Sequence, residues 1–384
     1  MNTAAAVILS LMAGSLSADM RGADDSGKAR DLVKQLGDNR FKVREAAEKG
    51  LLELGSASIE ALKEGEKNPD IHIQDRCRIL QPVIRELTLR KRLEDFIAST
   101  DGKVPLELPL AVTFLKATGD SKDARSLYAD LLNQNSPLLE LIVRDKKKGG
   151  DQFLVQCQEM AVRMQNFHLG GLGNKSVTRA DVALYLLLSV EYRGDKTGRI
   201  SGYGYSFMQA PILKETLAKD VPENLPLRKL FVSWMENQPQ PHMVANALQI
   251  AADLKMKETV PLILKIAKDK TTQIHIRAQA ALLLIKSGSK ENLKDVEPLF
   301  EEKTLVGNVR GINNKQGQVQ IRDIALAISI KLNGQKMSDY DFDVMIGNDD
   351  QVHTSYVYCA FSTNEKREAA HKKYKDWLAK EEKK

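Results

Sequence analysis

The sequence predicts an all-α fold in which helices stack as a solenoid. One helical unit recurs: two apolar residues flank one polar residue, a long polar residue follows, and a small residue stands three positions later. It occurs at Phe41 to Ala47, Ile71 to Cys77, Ile274 to Ala280 and Val319 to Ala325. The composition, with 42% hydrophobic and 5% aromatic residues, favours helices over sheets and excludes a disordered chain. Such units bury their apolar faces by stacking on one another.

The first residues differ from this pattern and read as a secretory signal peptide. The run from Thr3 to Leu16 carries no charge and is too short to span a bilayer, and the small residues Ser17 and Ala18 follow it. We therefore predict a signal peptide over residues 1–18 and an exported protein, secreted to the periplasm or cell envelope. No Lys or Arg precedes the run, so an uncleaved anchor or a misassigned start codon stays open. Mass spectrometry of the mature N-terminus distinguishes these alternatives.

Residues 26–92 are predicted to hold the N-terminal repeats. Phe41 to Leu54 has a single apolar stripe at helical spacing and ends at Gly55. Ile71 to Leu87 repeats this long helix and contains Pro82, where a kink is expected.

The middle region, residues 93–240, keeps the helical pattern but loses the repeat. The run 193–210 is predicted to be its longest stretch without helix, and long loops are often functional. A second candidate is the basic stretch after Arg144, which we predict to be a loop that is either solvated or in contact with an anionic ligand. The candidate partner-binding residues of this region are Tyr203, Tyr205, Phe207, Lys146, Lys147 and Lys148.

The repeats resume over residues 241–345. The polar segment 305–318 interrupts them and reads as a hairpin or projecting loop, and its Arg310 is a further candidate for partner binding. Residues 346–384 are predicted to form a capping helix and a tail of mixed charge. The apolar stripe of this helix is Ala370, Tyr374, Trp377 and Leu378, and its basic residues, Arg367 among them, are expected to face outward, either to solvent or to an anionic surface.

The long polar residue of the recurring unit needs an explanation, because a polar group beside an apolar stripe is costly unless it is paired. We predict a structural ladder in which these side chains reach the turn of a neighbouring repeat. The alternative is a row of side chains that grips phosphates. The residues are Arg44, Gln74, Arg277 and Arg322.

Two segments have a residue pattern that resembles HEAT repeats of the Armadillo-like superfamily: DNRFKVREAAEKGLLELG and KTTQIHIRAQAALLLIKSG. Three further segments resemble exported bacterial HEAT-repeat proteins of uncharacterised function. They are LPLAVTFLKATGDSKDARSLYADLL, VTRADVALYLLL and VQIRDIALAISIKLNGQKMSDYDF. The resemblance implies a right-handed α-solenoid of antiparallel helix pairs. It also implies partner binding along a curved helical surface, and it transfers no active site.

We therefore expect a non-catalytic scaffold or adaptor that binds a protein or peptide, with no catalytic, cofactor-binding or metal-binding residues. The six histidines are scattered singly, and neither HExxH nor GxSxG occurs. Three cysteines argue against a disulfide scaffold, although one bridge stays open. The alternatives are a binder of anionic polymers or nucleic acid, weakly favoured by the net charge of +6, and a HEAT-fold lyase or base-removing enzyme. Export disfavours nucleic acid, and no later segment is long and apolar enough for a membrane span.

Overall fold

The computed structural model describes residues 24–99, 108–168, 176–192, 198–311, 314–344 and 349–381. The chain divides into two compact units, Met1–Pro105 and Leu106–Lys384. The described residues are mostly helical, which confirms the predicted all-α class. None of the helices described here is long and apolar enough to cross a membrane. The predicted signal peptide, residues 1–18, lies outside the described residues.

The first unit contains four described α-helices around one apolar core. They are α1 over residues 24–35, α2 Phe41–Leu54, α3 Ile59–Gly65 and α4 Ile71–Ala98. Leu51, Leu62 and Cys77 are fully buried in this core. The predicted end of the fourth helix at Leu87 is wrong, because no Gly or Pro follows that residue before Ala98 and the helix continues. Pro82 lies inside α4.

The second unit begins with α5 Ala111–Thr118, α6 Lys122–Arg144, α7 Lys146–His168, α8 Arg179–Glu191, α9 Arg199–Gly202, α10 Gly204–Met208 and α11 Pro211–Ala218. It continues with α12 Leu225–Glu236, α13 Pro241–Asp253, α14 Val260–Lys268, α15 Ile274–Leu282, α16 Leu284–Ser287, α17 Leu293–Val296, α18 Ile321–Leu332 and α19 Asn364–Glu381. Helices α6 and α7 pack tightly at Gly149, where a Cβ would lie 2.7 Å from the Cα of Ile142. Glycine is therefore required at this contact.

Two helices of this unit are buried on all sides. Residues Ala180–Ser189 of α8 and Ile321–Ile330 of α18 are all buried, since both helices are predominantly apolar and their few charged residues are paired inside the unit. Helix α8 packs against α6 and α12, and α18 packs against α15 and α19. These two helices form the interior around which the surface helices are placed.

The run 193–210, predicted to lack helix, is largely helical where it is described. Residues 199–208 form α9 and α10, and residues 193–197 lie outside the described part of the chain. The reason is burial of the aromatic ring of Phe207, which stacks on Tyr185 with 3.9 Å between ring centroids. The apolar side chain anchors the segment in the core, so the turns of helix form around it.

The segment 305–318 contains the expected hairpin. Strands β1, Leu305–Arg310, and β2, Gln316–Gln320, pair antiparallel with a bulge between Leu305 and Gly307. The side chains of Val309 and Val319 are buried on one face of the hairpin, and polar residues occupy the other. This alternation is the period of a half-buried strand.

The C-terminal helix α19 packs on α18 through the predicted stripe. Ala370 and Tyr374 are buried, and Trp377 is half-buried and stacks on Tyr374. The outward orientation predicted for Arg367 is wrong, since only 3% of this residue is exposed. Its guanidinium is drawn inward by a buried carboxylate of α18, Asp323.

Candidate functional site

In the first unit, the recurring polar residues hydrogen-bond to backbone carbonyls of nearby turns. The guanidinium of Arg44 donates to the carbonyl oxygens of Asp38, at 2.8 Å, and Asn39, at 3.2 Å. The side-chain amide of Gln74 donates to the carbonyl of Glu66 at 3.0 Å. Each side chain therefore fastens its own helix to the turn that precedes it.

In the second unit, the corresponding arginines are buried and paired with carboxylates. Arg277 donates two hydrogen bonds of 2.8 Å to the carboxylate of Glu302 and a third, of 2.9 Å, to the carbonyl of Ala267. Arg322 donates to Glu368 at 2.8 Å and to the side-chain oxygen of Gln320 at 2.6 Å. These contacts occupy both guanidinium groups, which leaves them poorly suited to gripping phosphates.

Three further arginines are buried and paired in the same way, although the sequence pattern did not predict their burial. Arg228 forms a two-bond pair with Glu258, at 2.7 and 2.8 Å, and Arg125 forms one with Asp120, at 2.7 and 2.9 Å. The third is Arg367. Arginine followed three positions later by a buried residue was the available signal. That residue is aromatic after Arg125 and Arg228, whereas the recurring unit has a small one. After Arg367 it is the small residue Ala370, and what is missing there is the apolar pair before the arginine.

Arg367 belongs to a buried polar cluster that joins α18 to α19. The carboxylate of Asp323, with 0% of its side chain exposed, accepts from the Nε of Arg367 at 2.9 and 3.0 Å. It also accepts from the backbone N–H of Gln320 at 2.8 Å, and the Nε2 of His371 lies 3.4 Å away. Arg367 donates further to the carbonyl of Gln318 at 3.0 Å. The cluster is fully paired, which is what burial of charges requires.

The basic stretch predicted as a loop is the first turn of α7 instead. The side chain of Lys146 pairs with Glu191 and lies 5.9 Å from the ring of Tyr192, and Lys148 lies 3.6 Å from Asp145. Lys147 is exposed on the same turn. Asp145 ends α6 and accepts from the backbone N–H of Lys148, so the chain re-enters a helix at once. Neighbouring carboxylates compensate much of the positive charge that an anionic polymer would need.

The three aromatic candidates do not form one exposed patch. Tyr205 is 58% exposed and Tyr203 is half-buried, whereas only 1% of Phe207 is exposed. Phe207 is therefore a core residue rather than a contact for a partner. Arg310 is exposed at the end of β1.

A concave, largely apolar surface of the second unit lies between α13 and α15. We call it the α13–α15 groove. It has a volume of about 510 Å³ and is open to solvent on one side. Its apolar floor is made of Leu248, Ala280 and Leu283, which are buried, and its walls include Val244 and Ile276, which are half-buried. Its described lining contains no Lys, Arg, Asp or Glu.

The turn at one end of the groove is rigidly held. The carboxylate of Asp269 accepts hydrogen bonds from the hydroxyls of Thr271, at 2.7 Å, and Thr272, at 2.8 Å, and from the backbone N–H of Thr271. Hydrogen bonding by the Thr271 hydroxyl is the largest cause of the lowered pKa of Asp269. These hydrogen bonds fix the conformation of the turn at this end of the groove.

The rim of the groove is built from side-chain amides. They belong to Gln238, Gln249, Gln273 and Gln279. Gln279 donates to the backbone carbonyls of His353 and Thr354, which tethers a neighbouring segment to α15. The Oε1 of Gln238 is buried and has no hydrogen-bond partner among the described residues. Gln249 and Gln279 are half-buried and Gln273 is exposed, so these amides can donate and accept hydrogen bonds with a ligand in the groove.

All three cysteines are free and buried. Burial raises the pKa of the Cys77 thiol to about 11 and that of Cys157 to about 12, and it also raises the pKa of Cys359. Because the thiolate is the reactive form, we expect no reaction of the native protein with Ellman's reagent at pH 8. Denaturation in guanidinium chloride should then release all 3 thiols. A native thiol that reacts as fast as free cysteine would contradict this burial.

Among the described residues, no group of three His, Cys, Asp or Glu side chains is placed to hold a metal ion. Comparison of the chain with protein-family models, with curated proteins and with solved structures finds no match. The geometry of the α13–α15 groove and its amide rim is the basis for a functional proposal.

Proposed function

We propose that the protein is a non-catalytic protein-binding scaffold whose α13–α15 groove takes up an extended, apolar segment of a partner protein. The observation that carries this proposal is an open groove with an aliphatic floor and a rim on which the side-chain amides of Gln249, Gln273 and Gln279 are accessible to a ligand. Its volume of about 510 Å³ lies within the range of about 300–1,000 Å³ that is usual for binding clefts.

An extended peptide matches the chemistry of this surface. Its backbone presents N–H and C=O groups in alternation, and glutamine side chains both donate and accept hydrogen bonds. Its apolar side chains would cover Val244, Ala245 and Ile276, which are partly or fully exposed, and this gains about 25 cal/mol for each Å² removed from water. The uncharged lining favours a neutral segment over an acidic or basic one.

We further propose that the helices are arranged as a right-handed α-solenoid of antiparallel pairs, of the HEAT kind. Support comes from consecutive packing within the second unit, where α12 packs on α13, α14 on α15 and α15 on α18. The recurring arginine, followed three positions later by a buried residue, also fits a repeated unit. In such an array, the groove between two successive long helices is a natural place for a partner to bind.

Ala245 offers a test of the groove, because it lines the groove, is exposed and lies on α13. We expect Ala245→Glu to weaken peptide binding by at least about tenfold, since the new carboxylate must lose water when an apolar segment enters. The peptides are selected from a displayed library of random dodecamers on the full-length protein, and their affinities are measured by fluorescence polarisation.

The matched control is Asn246→Glu, which adds the same charge at the next position of α13, where the residue is exposed and outside the groove. This variant should bind the selected peptides as the wild type does. Equal affinities for both variants and the wild type, or failure of the library to yield peptides rich in aliphatic residues, would refute the proposal.

A further inference from the structure

Strand β1 has one edge without a partner strand in the described part of the chain. On the other side of the hairpin, the backbone N–H of Gln318 donates to the carbonyl of Phe361 at 3.0 Å, and the N–H of Phe361 donates back at 3.1 Å. Both backbone groups of Gln318 therefore point away from β1. The residue opposite Gln318 in the register is Asn308.

This register fixes the direction of the backbone groups on β1. In antiparallel pairs, residues that exchange hydrogen bonds alternate with residues that turn their N–H and C=O groups outward. Since Gln318 turns away from β1, Asn308 turns away from β2. Arg310 repeats this orientation two positions later, and the hydrogen bond of 2.8 Å from the N–H of Gly311 to the carbonyl of Lys315 agrees with the alternation. Four backbone groups thus face the free edge.

No other described residue forms a hydrogen bond to these four groups. The side chains of Asn308 and Arg310 are exposed. A row of unpaired N–H and C=O groups at the spacing of a strand is satisfied by water or by another extended chain, and the second arrangement is a recurring mode of peptide recognition.

The positive charge beside the free edge of β1 favours some extended chains over others. Arg310 has no ion-pair partner among the described residues. Asp343, on the neighbouring segment, is engaged by Lys315 and by Lys366, and it accepts a hydrogen bond of 2.6 Å from the hydroxyl of Ser362. The surface around the hairpin therefore has an excess of positive charge, and an acidic side chain on an incoming strand would complement it.

We propose that the free edge of β1 binds an extended segment of a partner protein as an additional strand, with an acidic residue of that segment opposite Arg310. This proposal depends on the proposed function only for the class of partner, an extended protein segment. The two sites are otherwise separate, because the hairpin edge and the α13–α15 groove are lined by different residues. The bulge between Leu305 and Gly307 limits regular pairing to the part of the strand that includes Asn308 and Arg310.

The test uses the full-length protein and a displayed library of random octapeptides. Asn308→Pro removes an N–H that points to the free edge and keeps the backbone hydrogen bonds between β1 and β2, although it loses the hydrogen bond of 3.2 Å that the Asn308 side chain accepts from Gln318. Asn308→Thr keeps the N–H and suits a strand, so it is the matched control. We expect the selected peptides to carry Asp or Glu at one fixed position, to lose at least about tenfold in affinity for Asn308→Pro, and to bind Asn308→Thr as they bind the wild type.

Two further variants make the outcome decisive. Arg310→Glu should replace the acidic preference of the selected peptides by a basic one, and this result holds even if Asn308→Pro disturbs the hairpin. Ala245→Glu should leave binding at the edge unchanged, which separates failure here from failure of the groove proposal. Selected peptides that bind Asn308→Pro and Arg310→Glu as tightly as the wild type would overturn the inference. A dimer in sedimentation equilibrium that Asn308→Pro dissociates would overturn it in favour of pairing with a second copy.

Discussion

Replacing Asp323 by alanine is expected to lower the free energy of unfolding of the second unit by about 3–5 kcal/mol. The carboxylate is fully buried and satisfies Arg367, His371 and the backbone N–H of Gln320. Removing it leaves the guanidinium of Arg367, of which 3% is exposed, without its principal partner in a poorly solvated site. Urea unfolding followed by circular dichroism measures the loss, and hydrogen exchange should show the earliest new opening in α19.

The control for this experiment is the double variant Asp323→Leu with Arg367→Met. It removes both charges and fills their space with apolar side chains of similar volume. Replacing a buried ion pair by apolar residues is often neutral, so this variant should be more stable than Asp323→Ala. A loss below about 1 kcal/mol for Asp323→Ala would show that the cluster is solvated and that α19 does not depend on it.

Replacing Arg277 by methionine should cost the second unit about 2–3 kcal/mol, whereas Arg44→Met should cost the first unit about 1 kcal/mol. The two arginines hold the same position of the recurring unit. Arg277 is buried and donates two hydrogen bonds to Glu302, whereas Arg44 is half-buried and binds carbonyls of a surface turn. Differential scanning calorimetry of both variants, with each transition assigned to its unit, provides the comparison.

The ion pair between Arg277 and Glu302 also leads to a prediction of how the stability of the second unit depends on pH. Hydrogen bonding by Arg277 is the largest cause that holds the pKa of Glu302 below its ordinary value of 4.5. A carboxylate with a lowered folded pKa stabilises the fold above its unfolded pKa, and that contribution is lost as the pH falls through the folded value. The wild type should therefore lose more stability below pH 4.5 than Arg277→Met. Equal pH profiles, or equal costs of the Arg277 and Arg44 variants, would contradict the difference in pairing.

The local pattern was sufficient to locate the helices that carry a clear apolar stripe. The starts at Phe41 and Ile71 and the hairpin over 305–318 were predictable, because caps, turns and periodicity act over a few residues. The helical form of residues 199–208 was not, since it depends on Phe207 stacking against Tyr185. The inward turn of Arg367 likewise depends on Asp323, which is 44 residues away.

The groove was harder to foresee than the helices that form it. Val244 and Ala245 lie beside a core stripe of α13 that includes Met243, Ala247 and Ala251. The available signal for the groove was that α13 has more apolar residues than its buried stripe contains. The sequence could not reveal which helix stands opposite, because that depends on how α15 packs. The positions of the amides on the rim follow from the same packing.

The ion pair between Arg367 and Asp323 also bears on the order in which the second unit folds. Helix α18 contains a carboxylate whose partner is synthesised 44 residues later. Until α19 emerges from the ribosome, burial of α18 would leave that carboxylate uncompensated, so its docking is held back. We therefore expect completion of the interior around α18 to be a late step, which proceeds when α19 arrives and brings Arg367 and Glu368 together.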